Sequence, residues 1–183
     1  LKKLTEDLVE ASKVSSGNIN LICGKINLVE LLNQTIGEFA EKFEEKGLQV
    51  VATFEQSGLY IWADSRRIWR VVENLFNNIY KYAMPNTRVY VDINVIHGEG
   101  AGQRKVEVLV KNISAQPLNI DADQLTERFI RGDVSRSTEG SGLGLSIAKD
   151  LTKLQGGEFQ IYLDGDLFKV MITFPLWTPE TAE

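Results

Sequence analysis

Two asparagines and a lysine on a predicted helix are the first residues whose types and spacing could do chemistry. From residue 65 to residue 83, five apolar side chains recur at helical spacing: Ile68, Val72, Leu75, Ile79 and Tyr82. At about 100° per residue, Asn74, Asn78 and Lys81 line up beside this stripe. An amide oxygen can ligate Mg²⁺, and an ammonium group can contact phosphate oxygens. The pattern also fits a surface helix with solvated polar residues, so the helix alone leaves both interpretations open.

A glycine-rich segment supplies a second candidate group. Residues 139–146 read Glu-Gly-Ser-Gly-Leu-Gly-Leu-Ser, and an apolar helix is predicted to follow them. Alternate glycines allow positive φ angles and close backbone approach, and amides at a helix start can bind anions. The segment is not a Walker loop, because no Gly-Lys-Ser/Thr follows it. It is not a dinucleotide-binding fingerprint either, because no strand runs directly into it. Taken alone, the segment also fits a flexible linker that ends at a helix cap.

Composition limits the class of protein. The chain has 183 residues, of which 43% are hydrophobic and 25% charged, as in a soluble globular domain with a short appendage. The net charge of -5 argues against a nucleic-acid-binding surface. Cys23 is the only cysteine, so neither an internal disulfide nor a thiolate metal cluster is expected. No apolar run approaches 18 residues and no leader is recognisable. Because the chain begins without Met, we expect it to be a piece of a longer protein.

The first residues predict a helix that needs a partner. Leu1, Leu4, Leu8 and Ala11 alternate at spacings of three and four, which is typical of a coiled-coil or helix-bundle seam. Only about two heptads are present, and a lone helix of that length is marginal in water. We therefore expect the partner helix to lie elsewhere or to be missing.

The remaining pattern predicts an α/β (α+β) sandwich, with a mixed, mostly antiparallel sheet and helices packed on one face. Helices are expected over Leu28 to Lys46 with Asn27 as cap and Gly47 as stop, over residues 65–83 after Asp64 or Ser65, and over Leu143 to Leu154. Strands are expected at 19–28, 49–54, 59–63, 89–95, 105–112, 158–163 and 167–174. The second and third of these strands flank Glu55-Gln56-Ser57-Gly58, which predicts a hairpin. The polar segment Ser114 to Gly142 predicts a long, functional loop.

The two candidate groups, in this order and spacing, resemble the GHKL ATP-binding fold. The segment E-N-L-F-N-N-I-Y-K-Y-A is similar to the asparagine box of sensor histidine kinases. Residues 125–133, L-T-E-R-F-I-R-G-D, resemble the phenylalanine box, and G-S-G-L-G-L-S-I-A-K resembles the second glycine box. The resemblance covers about residues 27–175 and implies a Bergerat-type fold with a long ATP lid.

The resemblance implies a set of site residues and the cofactors ATP and Mg²⁺. Asn78 would ligate Mg²⁺ between ATP phosphates with help from Asn74, while Lys81 would contact phosphates. Arg131 would offset charge on the transferring phosphoryl group, so the implied catalytic residues are Asn78, Lys81 and Arg131. The implied ATP-binding residues are Asn74, Asn78, Lys81, Tyr82, Asn112, Phe129, Arg131, Gly140, Ser141, Gly142, Leu143, Gly144 and Leu145.

The sequence departs from the family pattern in two places that bear on nucleotide binding. The first glycine box, Asp-x-Gly-x-Gly, is replaced by Asn112-Ile113-Ser114-Ala115-Gln116. The side-chain oxygen of Asn112 can still accept a hydrogen bond from the adenine amine, but the loop without glycines is stiffer. In the phenylalanine box, Thr126 takes the place of the first aromatic residue.

The phosphoacceptor histidine of the family has no counterpart here. His97 is the only histidine, and it lies at a predicted strand end before a glycine-rich turn rather than on a long helix. We interpret it as an ordinary turn histidine.

The resemblance also implies an arrangement of the parent protein. Residues 1–16 would end the second helix of the dimerisation and phosphotransfer hairpin, residues 17–178 would form the catalytic domain, and 179–183 a tail. The expected partners are ATP, the histidine-bearing dimerisation domain and a response regulator whose aspartate receives the phosphoryl group, with no nucleic acid. The parent would be a homodimer anchored in the cell membrane, and this fragment a monomeric cytoplasmic domain.

Three other classes share features with a histidine kinase. A hydrolytic GHKL ATPase carries a Glu one turn before the Mg²⁺-binding Asn, to activate water. This chain has Asn74 at that position, and Glu73 points about 140° away from Asn78, which counts against this class. A degenerate pseudokinase that binds nucleotide or a partner without phosphotransfer stays open because of Asn112. An anti-sigma-factor serine kinase would share the pocket but would not explain the entry helix.

Overall fold

A computed structural model describes residues 2–100, 102–127 and 142–179 of the chain. The four α-helices in these ranges are α1 (Lys2–Ser15), α2 (Leu28–Glu45), α3 (Ser65–Tyr82) and α4 (Gly144–Leu154). The seven strands are β1 (Gly24–Asn27), β2 (Gln49–Phe54), β3 (Tyr60–Ala63), β4 (Arg88–His97), β5 (Arg104–Ile113), β6 (Glu158–Asp164) and β7 (Leu167–Pro175). A short 3₁₀ turn occupies Gln124–Thr126.

The described strands form one large and one small sheet. The large sheet has five strands in the order β2-β4-β5-β7-β6, and the small one pairs β1 with β3. Among these pairs, β2 and β4 run parallel and the others are antiparallel. The helices pack on one face of the large sheet, which confirms the predicted sandwich.

Helix α3 has the amphipathic form that its sequence predicts. Ile68, Val72, Leu75 and Ile79 are buried, and Tyr82 at the end of the stripe is half-buried. Phe76 packs between α3 and α2, with its ring centroid 5.5 Å from that of Phe39 and 5.6 Å from that of Phe43. Complete burial of each such side chain stabilises the fold by about 1.5–3 kcal/mol, so this contact fixes α3 against the core.

The helix starts form as predicted, because polar side chains satisfy the first amides. Asn27 accepts hydrogen bonds from the amides of Val29 and Glu30 at 3.2 and 3.4 Å. Asp64 accepts from Arg66 and Arg67 at 3.0 and 3.3 Å at the start of α3. Each such cap contributes about 1 kcal/mol and sets the first residue of the helix.

The predicted hairpin between residues 49 and 63 is wrong, although both strands exist. Strand β2 pairs in parallel with β4 across the α3 crossover, in the register Val51 to Tyr90. Strand β3 instead pairs with β1, where Ile61 lies opposite Ile26 and both are buried. Local alternation cannot identify a strand's partner. The side chains of β2 are at most half-buried, so its place is set by backbone pairing with β4, whereas β3 buries Ile61 and Ala63. The strand predicted for 19–28 also shortens to Gly24–Asn27.

Helix α1 does not present one continuous seam. Leu4 and Leu8 are each 40% exposed, whereas Ala11 and Val14 are buried in the core that includes α4. The last part of the predicted seam thus packs on the domain itself, while Leu4 and Leu8 are exposed; Leu1 lies outside the described residues. None of the helices in the described ranges is both long and apolar enough to cross a membrane.

Candidate functional site

The polar residues of α3 follow one edge of its buried stripe. Asn74 is 8% exposed, Asn78 and Tyr82 are half-buried, and Lys81 in the last turn is exposed. The Nδ2 of Asn74 is buried and has no hydrogen-bond partner among the residues that the structure describes. An unpaired buried amide costs about 1–3 kcal/mol, so this position suits a ligand better than it suits a closed core.

The start of α4 lies against Asn74. A β-carbon placed at Gly144 would lie 3.6 Å from the Oδ1 of Asn74 and 3.9 Å from its Cβ. Gly142 has a φ of 69°, a conformation that glycine adopts at little cost. The buried Leu143 and the half-buried Leu145 fix this segment on the core. The tertiary structure therefore brings the α3 amides and the second glycine segment together.

Asn112 lies near the end of β5 with one polar atom unsatisfied. It is 4% exposed; its Nδ2 donates to the carbonyl of Ile113 at 3.2 Å, and within the described ranges its Oδ1 accepts no hydrogen bond. Two backbone bonds join the following residues to the end of α3: Met84 donates to Ile113 and Ala115 donates to Tyr82, both at 2.8 Å. The end of β5 is thus attached to the turn that carries Lys81 and Tyr82.

Four of the predicted site residues, Phe129, Arg131, Gly140 and Ser141, lie outside the described residues, as do the other residues of 128–141, which make up about half of the predicted lid. Thr126, where the family pattern has an aromatic residue, accepts a hydrogen bond from the Nζ of Lys149 at 2.8 Å. His97 is exposed at the end of β4, as expected for a turn histidine.

A partly buried charge cluster joins α1 to α3, and the sequence pattern did not predict it. Arg70 donates to Asp7 at 2.7 Å, to Glu10 at 2.8 Å and to Glu73 at 2.7 Å. Burial alone would lower the pKa of Arg70, but the carboxylates of Glu73 and Glu10 outweigh this effect and raise it above its ordinary value. Arg67 adds a weaker contact to Glu10 at 3.5 Å. The cluster leaves Glu73 engaged with Arg70 rather than turned toward Asn78.

Lys46, just after α2, is a second residue that the sequence pattern did not single out. Its Nζ donates to the carbonyl oxygens of Tyr80 at 2.7 Å and Lys81 at 3.2 Å. Burial lowers the pKa of the Lys46 ammonium. No spacing rule could have identified this contact, because it joins the ends of two helices that are distant in sequence.

Comparison with known proteins places the chain in a family. Residues 63–178 match the histidine kinase-, DNA gyrase B- and HSP90-like ATPases. The chain belongs to this family, and its curated relatives include sensor histidine kinases.

The matched regions of the relatives extend over almost the whole chain. The sensor histidine kinase WalK of Bacillus subtilis is 28% identical over 99% of this chain and 29% of its own length. The probable sensor protein PcoS of Escherichia coli is 30% identical over 94% of this chain and 36% of its own length. The chain therefore spans about a third of these relatives. Full-length ShkA, solved in complex with AMPPNP, shares the fold with a TM-score of 0.78 and 21% identity, over 96% of this chain and 36% of that one.

Proposed function

We propose that this chain is the ATP-binding catalytic domain of a two-component sensor histidine kinase. It transfers the γ-phosphoryl group of ATP to a histidine on the dimerisation domain of the parent, which passes the group to an aspartate of a response regulator. The observation that carries the proposal is the buried Oδ1 of Asn112, which accepts no hydrogen bond from the described part of the chain. An acceptor in this position is matched by the exocyclic amine of adenine, which donates a hydrogen bond.

The phosphate end of the nucleotide fits the junction of α3 and α4. Lys81 supplies a cation at the end of α3, and Tyr82 would pack near the phosphates. Within the described ranges, no side chain caps the start of α4, and amides of its first turn can bind phosphate oxygens. The absence of a side chain at Gly144 lets the backbone approach the triphosphate beside Asn74.

The residues present also fit a magnesium ion. Asn78 and Asn74 lie one turn apart on α3, while the buried Nδ2 of Asn74, unpartnered within the described ranges, is a donor suited to a phosphate oxygen and not a metal ligand. Their side-chain oxygens would hold the ion, with phosphate oxygens completing the shell. When bound, Mg²⁺ neutralises charge on the phosphates, while the protein orients the triphosphate. Phe129 and Arg131 are proposed to close over this site, with Arg131 offsetting phosphoryl charge.

The charge cluster favours phosphotransfer over hydrolysis of ATP. A hydrolytic ATPase of this family would need a carboxylate near the metal to activate water. Glu73 is bound to Arg70 at 2.7 Å, and the position one turn before Asn78 is Asn74. The pseudokinase alternative is favoured only by the replacement of Asp by Asn112.

The arrangement of the parent is part of the proposal. Residues 1–16 would be the end of the second dimerisation helix, residues 17–178 the catalytic domain and 179–183 a tail. The exposed Leu4 and Leu8 support this assignment, since a helix bundle that continues before α1 would cover them. The parent would be a membrane-anchored homodimer with this domain in the cytoplasm.

A transfer experiment tests the function. The fragment should stay unlabelled with radiolabelled ATP, because it lacks an acceptor histidine. The parent's histidine hairpin, supplied separately at micromolar concentration, should acquire an acid-labile label on the order of a thousandfold more slowly than in the parent, since the tether is absent. Measured ATP binding without label on the hairpin would favour the pseudokinase, and label on His97 would contradict a missing acceptor.

A further inference from the structure

Lys46 connects the end of α2 to the end of α3. Its ammonium donates to the carbonyls of Tyr80 and Lys81 at 2.7 and 3.2 Å, and it lies 5.9 Å from the centroid of the Tyr80 ring. The last carbonyls of a helix lack partners within the helix and carry partial negative charge. A cation that binds two of them stabilises the final turn in one position.

Helix α3 ends without the backbone turn that commonly caps a helix. Helix α3 gives way at once to extended backbone at Ala83, whose φ and ψ are -66° and 144°, and the Ala83 amide donates to Ile79. A glycine turn of the kind that often satisfies terminal carbonyls is not formed at this position. The side chain of Lys46 therefore takes the place of a backbone cap.

The backbone that carries Lys46 is itself held firmly. Its carbonyl accepts from the amide of Asn86 at 3.1 Å, and Gln49 donates to Thr87 at 3.0 Å. Gly47 has a φ of 66°, and a β-carbon there would lie 2.2 Å from the Oδ1 of Asn86. The ammonium thus extends from a tightly packed turn, which suits it to fix the position of another element.

We propose that Lys46 is a positioning residue for the triphosphate end of the nucleotide site, acting through the last turn of α3. The turn carries Lys81 and Tyr82, and Lys46 bonds to the backbone of Lys81 itself. A displacement of about 1 Å at a reacting centre can cost on the order of a hundredfold in rate. This inference rests on the proposed function, since it assigns Lys81 to the phosphates.

Binding measurements with two ligands separate positioning from general stability. In Lys46→Met, the affinity for Mg-ATP should fall at least about tenfold, while the affinity for adenosine changes less than about twofold. Lys46→Arg should retain most of the Mg-ATP affinity, because a guanidinium also donates to carbonyls. The matched control is Lys42→Met in the last turn of α2. The ammonium of Lys42 lies 4.9 Å from the centroid of the Phe39 ring, and its removal should leave both affinities unchanged.

The outcomes distinguish this inference from the proposed function. If the wild-type chain binds no Mg-ATP, the proposed function fails and the inference with it. If the wild-type chain binds but Lys46→Met binds Mg-ATP equally well, or loses ATP and adenosine affinity alike, the positioning role alone is wrong. Should Lys46→Met not fold, Lys46→Gln is measured instead: its neutral amide can donate to at most one of the two carbonyls, so a smaller but still selective loss of Mg-ATP affinity is expected, and unchanged affinity would show that the positioning role is wrong.

Discussion

Gly144 lies against Asn74. A β-carbon added at this glycine would lie 3.6 Å from the Oδ1 of Asn74, which is an ordinary van der Waals distance. The contact joins the first turn of α4 to the middle of α3. Neither segment is a specific signal alone, but together they form a cradle of backbone amides and side-chain amides. Substitutions in this cradle and in the contacts that support it should have distinct effects on binding and stability.

Removing the proposed metal ligand should weaken nucleotide binding. We expect Asn78→Ala to lower Mg-ATP affinity at least tenfold, or about 1.4 kcal/mol, because a Mg²⁺ ligand is lost. Calorimetry with and without Mg²⁺ measures this effect, and the difference should disappear when the metal is chelated. Asn77→Ala, which removes the same amide from the other side of α3, is the control. Unchanged affinity in Asn78→Ala would show that the metal is placed wrongly.

The adenine contact should respond to the charge of residue 112. In the proposed adenine contact the neutral amide of Asn112 can accept or donate, so it should discriminate between the amine of ATP and the carbonyl of GTP less sharply than a carboxylate would. Asn112→Asp should raise the preference for ATP. Competition binding with both nucleotides gives the answer. A preference that does not change would contradict the assignment of Asn112 to adenine.

Two glycines should differ in their tolerance of a methyl group. A β-carbon at Gly157 would lie 2.5 Å from the Cε1 of Phe174 and 2.8 Å from the Cγ2 of Thr152. Gly157→Ala should therefore lower the free energy of unfolding by about 1–3 kcal/mol through overpacking. Gly144→Ala has room at 3.6 Å and should fold with near-normal stability, yet bind Mg-ATP less tightly. Urea unfolding of both variants is the measurement, and equal stability losses would refute this comparison.

Arg70 should contribute to stability through the carboxylates it satisfies. Arg70→Met removes the 2.7 Å ion pair from Asp7, which is only 7% exposed, and should cost about 1–3 kcal/mol. Protection of α1 amides from hydrogen exchange should fall with it. Arg66→Met, an exposed neighbour on the same helix, should change neither quantity. Normal protection of α1 in Arg70→Met would mean that the apolar contacts alone hold α1 on the domain.

The Lys105–Glu158 pair should give a small, pH-dependent contribution to stability. The hydrogen bond and charge of Lys105 lower the pKa of Glu158 below its ordinary value of 4.5. The contribution is therefore present above pH 4.5 and is lost as pH falls through the lower pKa of the folded state. Because the side chain of Glu158 is 57% exposed, we expect less than about 1 kcal/mol from Lys105→Met at neutral pH and low salt. If Lys105→Met lowers the free energy of unfolding by more than this, or still lowers it at about pH 2, the ion pair with Glu158 is not the cause.

Much of the candidate site could be predicted from sequence because its signals are local. The apolar stripe of α3 sets the phase of the helix, and Asp64 sets its start, so the sequence alone placed Asn74, Asn78 and Lys81 beside the core. Residue type likewise permits the positive φ that Gly142 adopts. These features depend on neighbours within a few positions along the chain.

The tertiary structure decided what depends on distant partners. Several decisive contacts join residues that are far apart in sequence. They are the pairing of β2 with β4 rather than with β3, the packing of Gly144 on Asn74, and the contacts of Arg70 and Lys46. Sequence patterns report which face of an element is apolar, but many pairings would bury that face. Which pairing occurs depends on the total burial and hydrogen bonding of the folded chain, a property that no local segment contains.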